Sequence, residues 1–330
     1  MTAVPMRDDI SPKESKTETL ALSQCAAIII TWQPHLPTLK RLMQRLLGQG
    51  VNVVAVDNGS DNQSDIGSLI DNLNHTVAKS HSENEHQHSV DWLPWPENKG
   101  LAAGMNHGLG WAEKHNYRFA WLFDQDSDIG DDFCVSMLLA WQAGSQATDR
   151  LAAVGPRLVD PDSGRKTPFR RFRFRDRSDS KLADGPGLFT TDFLISSGTL
   201  LSISALQQIG LMKTSYFIDN IDLEWCFRAR SQGWMLLGCG HAQLFHRIGE
   251  VSDNPLVKQG IMVSHGPLRY YYSTRNRIHL RQQSYAPADW VWRDHVRFLV
   301  KTVFLLISSK RRAEYWRALW QARRDSKELS

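Results

Sequence analysis

A chain of 330 residues with 42% hydrophobic side chains can bury a sizeable core, as one large α/β domain or two smaller ones, which excludes a fibrous or wholly disordered protein. The net charge of +4 is unevenly spread: residues 281–330 hold 11 Lys or Arg against 5 Asp or Glu. No nucleic-acid module accompanies that basic tail, so a nucleic-acid partner is not expected.

In chain order, residues 1–23 are polar and mixed in charge, with no basic segment leading into an apolar run. They read as a disordered lead rather than a signal peptide. Cys25 to Thr31 is a continuous apolar run, Pro37 to Leu47 has helical periodicity, and Val51 to Val56 is a second apolar run ending in Asp57-Asn58-Gly59-Ser60. That is a βαβ unit with parallel strands. Thr31, Gln33 and Asp57 stand at strand carboxyl ends, where ligands of such sheets gather, and we expect nucleotide contacts there; turn and capping chemistry would account for the same residues. Residues 74–91 are polar and read as a variable loop, in which the irregular spacing of His75, His81, His86 and His88 argues against a metal site. The junction Asn98-Lys99-Gly100 then opens a helix with small residues on one face. Backbone amides from Asn98 to Gly100 could meet an anion, although tight packing of a helix on a sheet needs the same small residues. No GxGxxG follows a strand, which disfavours a nicotinamide enzyme.

Trp121 to Phe123 is strand-like and ends in Asp124-Gln125-Asp126-Ser127-Asp128. In an extended chain residues i and i+2 point the same way, so Asp124 and Asp126 can converge on one divalent cation, and that cation on a diphosphate. A solvated acidic turn, or a cap before the apolar stretch Phe133 to Trp141, is the plainer alternative. Leu151 to Pro156 predicts a strand, Phe169 to Arg177 an exposed edge strand or an anion-binding flap, and Phe193 to Leu201 a strand with a small-residue break. Phe217 to Arg228 starts a helix rich in acids. Capping needs one of them, whereas Asp219, Asp222 and Glu224 together invite a general base near a metal-bound leaving group. His246, at the end of the strand-like Ala242 to Phe245, is either a structural histidine or a further metal ligand beside Asp124 and Asp126.

The four cysteines, Cys25, Cys134, Cys226 and Cys239, show no CxxC or zinc spacing and read as reduced core residues of a cytosolic protein. In the tail, Val296, Leu299, Val300, Val303, Phe304 and Ile307 recur at helical spacing. Basic residues and Tyr315, Trp316 and Trp320 accompany them. Such a helix suits an anionic cytoplasmic membrane surface without crossing it, and packing on its own domain explains the stripe equally.

The ordered series Val56 to Ser60, Asn98-Lys99-Gly100 with Ala102 to Asn106, Asp124 to Ser127, Ser196 to Thr199, Asp222 to Arg228, His246 to Gly249 and Tyr271 to Asn276 resembles the inverting family 2 glycosyltransferases, most closely bacterial rhamnosyltransferases. The likeness covers residues 25–280. It implies a GT-A fold: α/β, with a mostly parallel central sheet and helices on both faces, over residues 24–280, after the lead and before a basic helical extension at 281–330. It further implies Thr31 and Asp57 at the nucleotide, Asp124 and Asp126 as a DxD metal motif, Gln125 and Ser127 lining the donor pocket, and Asp222 as catalytic base. Glu224 and Trp225 would be its neighbours on the acceptor side, and His246 would join the Mg2+ or Mn2+. The donor implied is dTDP-β-L-rhamnose, and the acceptor a saccharide or a polyprenyl-diphosphate-linked saccharide in cell-surface polysaccharide synthesis. Two other classes remain at this point: a nucleotidyltransferase, which would release pyrophosphate, and a non-catalytic membrane- or saccharide-binding protein on the same fold.

Overall fold

In the computed structural model, which describes residues 20–80, 88–172, 187–245 and 266–329, the apolar runs form the middle of one sheet. Strand β1 (Cys25–Thr31) is buried along its whole length and lies parallel between β2 (Asn52–Asn58) and β4 (Phe119–Asp124). Outside β2 runs β3 (Val90–Trp95), also parallel. Next to β4 comes the short antiparallel β8 (Leu200–Ser202). After it stand β6 (Leu151–Val159) and β9 (Met235–Phe245), parallel to each other, with β5 (Asp128–Ile129) and β7 (Leu188–Thr191) both antiparallel on β9. The long pairings are parallel and the antiparallel ones are short.

Side chains alternate between two cores, as the period of a strand requires. Cys25, Ala27 and Ile29 face a cluster filled from α1 (Leu36–Gly48), α2 (Gln63–Ser80) and α4 (Phe133–Ser145). Ala26, Ile28 and Ile30 face one filled from α3 (Leu101–Lys114), α5 (Ile203–Ile209) and α6 (Ile221–Ser231). The expected α/β architecture, with helices on both faces, is therefore present. All four cysteines are free and buried, and burial pushes the Cys25 thiol up to about 12.

Four departures from the sequence reading stand out. Residues 74–80 are not loop: α2 runs through them, because Ile66, Ile70, Leu73 and Val77 keep helical spacing toward the core beneath an otherwise polar surface. Strand β3 was hidden by Pro94, which an edge strand tolerates. Residues 193–199 are irregular instead of a strand, touching the sheet by a single bridge from Ser197 to Leu122, and Leu200–Ser202 forms the strand. The edge strand expected from Phe169 is not formed up to Phe172, where only Arg170 bridges to Phe193. Residues 1–19, His81, His86, Arg173, Phe174, Arg175, Arg177 and His246 lie outside the described residues.

Three helices follow: α7 (Pro267–Gln282), α8 (Ala288–Ser308) and α9 (Arg312–Asp325). Leu280, Trp290 and Leu329 join the second core. Between the helices, Asp294 pairs with Arg277 at 3.2 Å, the Tyr270 and Thr302 hydroxyls bond at 2.9 Å, and the Tyr271 hydroxyl donates to Asp325 at 2.7 Å. The tail packs on the domain along one face and exposes an apolar stripe along the other. Among the described residues no helix is long and apolar enough to cross a membrane.

Candidate active site

The carboxyl ends of β1, β2 and β4 come together, as the parallel register requires. Thr31 and Asp57, expected at a nucleotide, are fully buried and bonded to each other, hydroxyl to carboxylate, at 2.8 Å. Asp57 also accepts from the Ser60 amide (3.0 Å), the Ser60 hydroxyl (2.6 Å) and the Gln63 amide (2.7 Å). The pair anchors the loop. Gln33 reaches Asp61 from its side chain and Ser60 from its backbone N–H, in a left-handed conformation with φ +50°.

Gly59, at φ +76°, lets this loop meet the next one: a Cβ there would lie 2.4 Å from the carbonyl carbon of Glu97. The Asn58 side chain donates to Asn98 and accepts from the Lys99 amide, while Asn98 accepts from the Gly100 amide. The Leu101 amide donates to the Phe217 carbonyl at 2.6 Å. The amides expected to face an anion at Lys99 and Gly100 are therefore taken by side chains. This junction positions loops; Gly100, at φ +92°, is needed because a Cβ would come within 2.6 Å of the Phe217 ring.

The first acidic segment is a turn rather than extended chain: the Ser127 amide donates to the Asp124 carbonyl at 3.2 Å, with Gln125 and Asp126 at the corner. Asp124 is half-buried at the strand end and Asp126 is exposed. Gln125, expected in the donor pocket, staples β4 to β1 by accepting from the Trp32 N–H (2.7 Å) and donating to its carbonyl (3.0 Å). Ser127, given the same role, is buried and bonds Ser197 at 2.6 Å, whose hydroxyl also accepts from the Asp124 amide. Both hold the acidic turn in place.

The second acidic segment divides sharply. Glu224 is buried and makes a bidentate pair with Arg228, at 2.8 and 3.0 Å, and accepts from the Tyr285 hydroxyl at 2.8 Å. Trp225 is buried too, its indole N–H donating to the Gly210 carbonyl. Glu224 is thus turned into the protein, while Trp225 lines the same recess as Asp222. Asp222, on the other side of the helix, is half-buried against a recess lined by Met105, Ile195, Ser196 and Met212. Burial pushes its carboxyl up to about 7; the Leu223 amide, donating at 2.8 Å, opposes that, and the negative charge of Asp124 and Asp219 raises it further. That influence places the Asp124 carboxylate within electrostatic reach of Asp222.

A clamp that sequence reasoning missed sets the start of α6. Phe217, Asp219 and Asn220 all have positive φ, which costs of order 1–3 kcal/mol each and persists only where surroundings impose it. Asn276 of α7, fully buried, donates to the carbonyls of Tyr216, Ile218 and Asp219 at 2.8 to 2.9 Å. Arg269 pairs with Asp219 at 3.0 Å, and Asn220 donates to the Ser273 carbonyl. The segment Tyr271 to Asn276 was visible as a motif, but nothing in it pointed to a partner some 60 residues earlier.

Asp124 ends β4 with Asp126 in the turn beyond it, and Asp222, at the head of α6, lies within electrostatic reach of Asp124. His246 lies outside the described residues, and among those described no set of three His, Cys, Asp or Glu is placed to hold a metal.

The folded chain superposes on GalNAc-T7, solved with UDP, GalNAc and Mn2+, with a TM-score of 0.54 at 12% identity, over 87% of this chain and 57% of that one. It also superposes on S. aureus TarS, with a TM-score of 0.56 at 12% identity over 92% of this chain and 50% of TarS. For TarS 1-349 in complex with UDP-GlcNAc the TM-score is 0.54, over 82% of that chain. In sequence it is 27% identical over 295 residues to the dTDP-rhamnosyl transferase RfbF of Shigella flexneri, covering 89% of this chain and 92% of the relative. The chain has the GT-A fold of these glycosyltransferases. No protein-family model matches it.

Proposed function

We propose that this chain is a glycosyltransferase that moves L-rhamnose from dTDP-β-L-rhamnose to a hydroxyl of a saccharide, free or polyprenyl-diphosphate-linked, in cell-surface polysaccharide synthesis at the cytoplasmic face of the membrane. The observation that carries the reading is Asp222: a carboxyl with a pKa pushed up to about 7, at the head of α6 and within electrostatic reach of the acidic turn after β4. The resemblance to a dTDP-rhamnosyl transferase over most of both chains supports the sugar and the nucleotide.

A divalent cation fits the residues present. Asp124 and Asp126 are hard oxygen donors, Asp126 is exposed, and the negative charge of Asp124 already weighs on Asp222, so the site carries charge that a cation would neutralise. Asp124 and Asp126 would hold it, with His246 as the remaining candidate. When bound, Mg2+ or Mn2+ supplies positive charge against the departing diphosphate.

The protein residues do the rest. Asp222, ionised above pH about 7, accepts the proton of the acceptor hydroxyl as that oxygen attacks the anomeric carbon. The apolar wall of Met105 and Met212 limits water beside it. Attack opposite the leaving diphosphate is a single displacement, so the β-linked donor gives an α-L-rhamnoside.

The test is chromatographic: the full chain, dTDP-L-rhamnose, Mn2+ and a lipid-linked saccharide, with released nucleotide quantified. Acceptor-dependent dTDP release is expected. Pyrophosphate release when the same chain is given dTTP and rhamnose 1-phosphate instead would indicate a nucleotidyltransferase, and tight dTDP binding with no release would indicate a non-catalytic binding protein.

A further inference from the structure

On α8, Trp292, Val296, Leu299, Val300, Val303 and Ile307 fall on one side of the helix, each between 45% and 75% exposed. Trp316 and Trp320 of α9 are exposed as well, their rings edge to face with centroids 5.9 Å apart. A continuous apolar surface of this kind on an otherwise charged protein marks a contact site. The helix cannot turn to hide it, because its opposite side is already engaged: Asp294 with Arg277, Thr302 with Tyr270, and Leu305 in a cluster with Tyr270, Tyr315 and Ala318.

Charge selects the occupant. Arg297 lies one step round the helix from the stripe and is exposed, as are Arg293, paired with Asp289 at 3.6 Å, and Lys310, Arg312 and Arg317 at the start of α9. A second copy docking the same face would bring two such cationic borders together. An anionic lipid surface offers the complementary charge and an apolar layer of the right depth, with Trp side chains suited to its boundary. We propose that α8 and α9 dock the enzyme in the plane of an anionic phospholipid bilayer through this stripe. Through Tyr270 and Arg277, α8 grips α7, the helix whose Asn276 holds the loop before Asp222, so docking sets the base one helix away from the lipid. This deepens the reading of a lipid-linked acceptor, but it is measured with neither donor nor acceptor present, so the two can fail separately.

The experiment is flotation of the full chain with vesicles of phosphatidylcholine containing roughly 30 mol% phosphatidylglycerol, against pure phosphatidylcholine. The wild type should float with the anionic vesicles and bind the neutral ones at least about tenfold more weakly. Leu299→Glu with Ile307→Glu, both at exposed positions, should reduce anionic binding about tenfold or more while leaving the thermal midpoint in place. Arg293→Gln with Arg297→Gln keeps the apolar stripe and should weaken binding about threefold or more, with a shallower salt dependence. A wild type that stays at the bottom of the gradient overturns the proposal, as does a Glu double variant that floats undiminished. A wild-type dimer in light scattering that the Glu variant splits, with no flotation of either, overturns it in favour of a second copy.

Discussion

In the turn after β4, neutral side chains do the positioning: Ser127 and Ser197 bond each other, Gln125 staples the strand end to Trp32, and Asp126 is left at the surface. At the head of α6 charged groups do it. Glu224 is consumed by Arg228 and Tyr285, Asp219 is tied to Arg269, and Asp222 is set against apolar side chains. Residues two apart on a helix point about 200° apart, so Asp222 and Glu224 face opposite ways however alike they look in sequence. An acidic cluster is therefore not one functional unit: helix phase sorts its members into a chemical group and a structural one.

The comparison breaks most visibly if Asp222 and Glu224 prove interchangeable. Asp222→Asn should lower transfer by about 10²–10⁴-fold, read as nucleotide release, with dTDP binding retained in calorimetry. Its pH behaviour sharpens the point. The folded pKa is raised from 3.8 to about 7, so the stabilising influence of this carboxyl is present below pH about 4 and is lost as pH rises through about 7. The thermal midpoint of Asp222→Asn relative to wild type should be higher at pH 8 than at pH 4, and wild-type kcat should fall as pH drops below about 7, less steeply with a cation bound. Glu224→Gln should do the reverse: breaking a buried ion pair costs about 3–5 kcal/mol in urea denaturation, while the folded fraction keeps its pH profile. If that variant loses catalysis at full stability, Glu224 is not the structural acid described above.

Asn276→Ala tests whether the clamp serves the chemistry. Removing a donor to three carbonyls should cost about 2–3 kcal/mol of stability. It should also lower kcat about tenfold with the donor KM nearly unchanged, since the loop before Asp222 shifts and the acidic turn after β4 does not. A purely structural residue would leave kcat of the folded enzyme alone. The smallest effect belongs to Gln125→Ala, about 1 kcal/mol, with weaker nucleotide binding through a loosened acidic turn, checked by calorimetry with dTDP and Mn2+.

Much of the fold was legible because burial leaves a plain record: Cys25 to Thr31 reads as a strand and is one, and the helices from Pro37 and Phe133 carry obvious apolar faces. Where a polar exterior covered the pattern, as over residues 74–80, or Pro94 sat in an edge strand, the record was obscured. At the site, the places of Asp124, Asp126 and Asp222 could be read from strand and helix ends. What Gln125, Ser127, Asn98 and Asp57 do could not, since a polar loop residue advertises hydrogen-bonding capacity without its direction, and the partners of Gln125 and Ser127 lie 93 and 70 residues away.

The grip of α7 on the loop before α6 also bears on how the protein can be dissected. A chain cut after Phe245 would keep Asp124, Asp126 and Asp222, yet lose Arg269 and Asn276, and Phe217, Asp219 and Asn220 would relax out of their left-handed conformations. In chimeras between relatives, residues 214–220 and 267–282 form one exchangeable cassette despite the distance between them, and recombination that separates the two would yield folded sheets with a misdirected base.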